Sequence, residues 1–64
     1  MTDIRVENHG SIYIFIPQTD DGREWVDANL SLESWQWFGP GFAVEPRYAL
    51  QLAEGMLNDG LRVH

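Results

Sequence analysis

The chain has 64 residues, no cysteine, and ten acidic side chains against four arginines and no lysine, for a formal charge of −6. This length confines it to one domain, residues 1–64, that buries only about 60% of its unfolded surface. The missing cysteines exclude disulfide staples and thiolate metal sites, and the acidic balance argues against direct nucleic-acid binding, which needs a basic surface. No apolar run approaches the roughly 20 residues of a membrane span, and Met1-Thr2-Asp3 lacks the basic start of a signal peptide. A soluble cytoplasmic protein that does not engage a membrane is expected.

In chain order, Ile4 and Val6 alternate with Asp3, Arg5 and Glu7, which predicts a half-buried strand. Asn8-His9-Gly10 turns it into Ser11–Pro17, whose five consecutive apolar residues favour an antiparallel partner strand. There Ile12, Ile14 and Ile16 point one way and Tyr13 and Phe15 the other, so neither face is polar and the strand belongs at the centre of a sheet. Residues 18–30 predict a short helix capped by Thr19 or Asp20, with Gly22 as its weak point. Trp25, Val26, Asn29 and Leu30 share its packing side, and Asp20, Glu24 and Asp27 form a carboxylate ladder on another.

A connection over Leu30–Ser34 leads to Trp35-Gln36-Trp37-Phe38, whose alternation predicts a strand with Trp35 and Trp37 on one face. Gly39-Pro40-Gly41 is the strongest turn signal, and Phe42-Ala43-Val44 returns as a further strand. Pro46 opens a second helix running to Asn58, with an apolar stripe of Ala49, Leu52, Ala53, Met56 and Leu57. Gly60 caps it, and Leu61-Arg62-Val63 has room for a last short strand or an extended tail. The expected architecture is α+β in the order ββαββα(β): a small antiparallel sheet of four strands, five if the tail joins, with two helices.

Reactive groups are sparse. His9 and His64 are the sole histidines, one short of the usual ligand set of a catalytic zinc, and His9-Gly10-Ser11 reads as a turn rather than a nucleophile with its base. No catalytic residue, metal site or cofactor is assigned, and the chain is not expected to be an enzyme. Two surfaces remain as candidates. Asp20, Asp21, Glu24 and Asp27, with Glu33 as an extension, can stand in for phosphates toward a partner with a basic surface. Tyr13, Phe15, Trp35 and Trp37 can form an aromatic interface if the helices cover only the other face of the sheet.

The set Glu7-Asn8-His9-Gly10-Ser11, Trp37-Phe38-Gly39, Val44-Glu45-Pro46-Arg47-Tyr48, Leu52, Gly55-Met56 and Asp59-Gly60 spans nearly the whole chain. It resembles a family of small bacteriophage and prophage proteins that carries no catalytic assignment to transfer. In size, charge and context the chain is also similar to anti-CRISPR proteins, several of which resemble nucleic acid in charge and block a basic site on a Cas subunit. That likeness implies an inhibitor acting in the host cytoplasm on a Cas subunit or another defence protein. The competing expectation is an assembly module that self-associates through the aromatic face, so that the chain is either a monomer or a homodimer.

Overall fold

The alternation of Ile4 and Val6 with Arg5 and Glu7 produces β1 (Ile4–Asn8) in the computed structural model, which describes residues 1–64. A two-residue turn, Gly10-Ser11, follows. Gly10 sits at φ 83°, and the turn is closed by the His9 N–H donating to the Ile12 carbonyl at 2.9 Å. Glycine tolerates the positive φ that this position of a tight hairpin requires. β2 (Tyr13–Pro17) then pairs antiparallel with β1, Val6 opposite Phe15 and Ile4 opposite Pro17.

The second hairpin repeats the device. β3 (Trp37–Phe38) and β4 (Gly41–Val44) flank Gly39-Pro40, with Gly39 at φ 60°. β4 pairs antiparallel with β2, which completes a four-stranded sheet in the order β1-β2-β4-β3. β2 is therefore internal, as its two apolar sides require. The tail adds a fifth contribution, a single parallel bridge between Ile4 and Val63 rather than a strand. The Arg62 carbonyl accepts from the Asp3 and Ile4 N–H groups, and the His64 N–H donates to the Ile4 carbonyl.

Both helices, α1 (Asp20–Asn29) and α2 (Pro46–Asn58), lie on the same side of the sheet. Val26 of α1 and Ala49 and Met56 of α2 enclose Ile4, Phe15 and Phe42 in one core. Phe15 and Phe42 stack with ring centroids 5.8 Å apart, and Trp37 meets Phe42 edge-on at 5.4 Å. Pro46 occupies the first turn of α2, where its missing N–H costs nothing. Gly60, at φ 92°, ends the helix in a Schellman motif: its N–H donates to the Leu57 carbonyl and that of Leu61 to the Met56 carbonyl.

Three expectations are corrected. The strand predicted over Trp35–Phe38 begins only at Trp37, because Ser34–Gln36 form a 3-10 turn. Leu30 and Leu32 pack against the core, and that anchoring leaves the chain to reach the sheet edge by a turn rather than an extended run. Leu57 is 54% exposed, since it projects about 100° around the helix from Met56 and clears the sheet. Finally, the helices cover the Tyr13/Phe15 face of β2, leaving the isoleucine face open.

Candidate acidic binding face

α1 is held against the sheet at its first turn. The Thr19 side chain accepts from the Gly22 N–H at 3.1 Å, and its hydroxyl donates to Asp3 Oδ1 at 2.7 Å. Asp3 Oδ2 in turn accepts from the Arg62 N–H at 2.9 Å, so one carboxylate links the start of β1, the cap of α1 and the tail. Those bonds, Thr19 first and then Arg62, hold the Asp3 carboxyl below its ordinary value. Gly22 is buried: a Cβ there would lie 2.5 Å from the Asp3 carbonyl oxygen. From the middle of α1 the Trp25 indole N–H donates to Asp59 Oδ2 at 2.7 Å, tying α1 to the end of α2.

With Gly22 and Val26 fixed inward, the acids are forced outward. At roughly 100° per residue, Asp20, Glu24 and Asp27 fall within about 60° of arc, opposite the core-facing side, and Asp21 lies on one shoulder. All four are exposed. Asp20 is compensated by Arg23, whose Nη2 donates to its Oδ1 at 2.8 Å. Asp21, Glu24 and Asp27 have no cation within ion-pair distance. Arg5 pairs with Glu7 and Arg47 with Glu45, so neither is drawn to this helix. An exposed pair such as Asp20–Arg23 is weak, and it dims the field at one end of the stripe without cancelling it.

Glu33 does not extend the stripe. It precedes the 3-10 turn, where its N–H donates to the Gln36 side-chain oxygen at 3.0 Å, and it belongs to a separate segment from α1. Its side chain is exposed and carries no cation partner.

The aromatic group is dispersed. Phe15 is only 1% exposed and Tyr13 is half-buried on the helix-covered face, so neither is free to meet a partner across an open sheet. Trp37 shares that face through its pairing with Phe42 and stays accessible only because β3 is the sheet edge. Trp35, in the 3-10 turn, is 74% exposed and belongs to neither face. The expected aromatic sheet face is thus absent, because the larger rings of β2 and β4 were taken for the core.

Two open surface grooves, of about 250 and 280 Å³, are lined by apolar side chains, with Tyr13 in one and His9 in the other as their titratable groups. His9 Nε2 lies 3.1 Å from Glu7 Oε1, and Arg5 bonds the other oxygen; Arg5 first and His9 second hold the Glu7 carboxyl below its ordinary value. No three His, Cys, Asp or Glu side chains gather at metal-binding distance. No helix is long and apolar enough to cross a membrane.

No protein-family model, curated protein or solved structure matches the chain.

Proposed function

We propose that the chain works by binding, presenting the outward side of α1 to a basic surface of a host protein. Its most concrete form is an anti-CRISPR-type inhibitor that occupies a nucleic-acid site on a Cas subunit in the host cytoplasm. The observation that carries this reading is the set of three exposed α1 carboxylates, Asp21, Glu24 and Asp27, without a cation partner in a chain of charge −6. Carboxylates about one helical turn apart offer a row of negative charge to arginines and lysines arranged for phosphates, and the net charge steers the encounter.

The test is displacement of labelled duplex DNA from purified Cas effector complexes. The chain is expected to release the DNA at low salt, and the double variant Glu24→Lys, Asp27→Lys is expected to lose that ability while keeping its circular dichroism spectrum. Displacement by the double variant equal to that of the unaltered chain would remove α1 from the proposal. Failure to displace DNA from any such effector would remove the Cas form of it.

A further inference from the structure

We propose that the free half of the β1 edge is a strand-addition site, which takes an extended peptide of another protein running parallel to β1. The hairpin fixes which backbone groups are available. Asp3 and His9 bond toward β2: the Asp3 carbonyl accepts from the Gln18 N–H at 2.7 Å, and the His9 N–H donates to the Ile12 carbonyl at 2.9 Å. Bonded and non-bonded residues alternate in an antiparallel pair, so Arg5 and Glu7 also face β2, and Ile4, Val6 and Asn8 turn their N–H and C=O groups outward. The tail uses the first of these. The Ile4 N–H donates to the Arg62 carbonyl and the His64 N–H to the Ile4 carbonyl, each at 3.0 Å, with Val63 beside Ile4 and packed on the core. Val6 and Asn8 receive no bond from the tail. Neither a proline nor a bulge protects their stretch of edge, where the register runs unbroken. The opposite edge, β3, is two residues long and offers no such template.

The side chains of an added strand have a place to go. In the parallel register that Ile4 and Val63 establish, the next inward position stands beside Val6, on the helix side of the sheet. There Val6, Tyr13, Pro46, Leu50 and Ala53 line an open apolar groove of about 250 Å³, and Leu50 is 71% exposed. Outward N–H and C=O groups call for an extended backbone, and the groove beside them calls for an aliphatic side chain. The tail already binds the first part of the same edge in this way, so the added peptide continues an existing contact. A second copy of this chain fits poorly. Pairing two β1 edges through Val6 and Asn8 sets Glu7 against its own counterpart and brings His9 to the level of Arg5, where His64 already lies. The charge of −6 favours a peptide whose other positions are basic rather than acidic. The inference does not rest on the acidic side of α1 having a partner.

Amide NMR of the full chain, titrated to millimolar concentration with the peptide Leu-Arg-Thr-Arg amide, tests it. The Val6 and Asn8 amides are expected to shift and to exchange their hydrogens more slowly, while those of Arg5 and Glu7, already bonded to β2, keep their exchange rates. The same peptide N-methylated at its first arginine keeps every side chain but lacks the donor for the Val6 carbonyl. It is expected to bind about tenfold more weakly. Glycine in place of the peptide's leucine, or Leu50→Asn in the chain, should also weaken binding, because each removes apolar contact in the groove. The double variant Glu24→Lys, Asp27→Lys should respond to the peptide through the same two amides, which separates this edge from the proposed partner face. Shifts confined to α1 would overturn the inference, since the peptide's arginines alone would then be recognised. So would unmoved Val6 and Asn8 amides at millimolar peptide, or equal binding of the N-methylated peptide.

Discussion

At Gly22 the helix runs so close to β1 that a methyl group would collide with the Asp3 backbone, 2.5 Å away. In an ordinary exposed helix, replacing glycine by alanine stabilises by about 1 kcal/mol. Here the sign should reverse, because relieving the clash moves α1 off the sheet; Gly22→Ala is expected to lose about 1–3 kcal/mol in urea unfolding, and a gain would show that the close approach is not required. Sequence alone marks Gly22 as a weak helix residue, since the approach of Asp3 comes from the distant start of the chain. Asp3 gives a second prediction. Its carboxyl is held below its ordinary value by Thr19 and then by Arg62, so its contribution to stability is present above the unfolded-state value and is lost as pH falls through the folded one. Asp3→Asn should therefore flatten the fall of the urea midpoint below about pH 4, leaving the shallower part that Glu7 supplies. Parallel curves for the two proteins would contradict the assignment.

α1 carries its charge against its own interest as a helix. Asp20 and Asp21 suit the positive end of the dipole, but Asp27 sits in the last turn with no basic residue beside it, and Asp20–Glu24 and Glu24–Asp27 are like-charge neighbours. Asp27→Lys should raise stability by about 0.3–1 kcal/mol, read as a higher melting temperature, while weakening partner binding; a variant that gains neither stability nor loses binding would show that the charge matters to neither. Elements with local punctuation were readable in the sequence: the Gly10 and Gly39 turns, the Thr19 cap, Pro46 and Gly60 all fall where the residue types place them. The faces of β2 were not. A strand apolar on both sides fits either way up, and the choice is made by Phe15 packing on Phe42 beneath Val26 and Met56, a match of shapes that no local pattern records. Trp35 falls outside the strand for a related reason: its alternation with Trp37 imitates a strand that the anchored connection cuts short.

Across the whole molecule, the acidic side of α1 and the open face of the sheet stand back to back. The carboxylates of α1 were legible as a ladder, and the structure adds that Arg23 compensates Asp20 alone, so the free charge is that of Asp21, Glu24 and Asp27. On the open side of the sheet the only charged strand residues, Arg5 and Glu7, pair with each other. Nothing in this arrangement asks the acidic side to be apolar or the sheet side to be charged, and each can be altered without the other. The most direct measurement of the central claim is the salt dependence of DNA displacement from a Cas effector, compared between the unaltered chain and Asp21→Asn, Glu24→Gln, Asp27→Asn. If the α1 carboxylates replace phosphates at a basic site, potency falls steeply with salt for the unaltered chain, and the neutral variant is weaker at low salt with a shallower slope. Equal potency and equal slopes would contradict it.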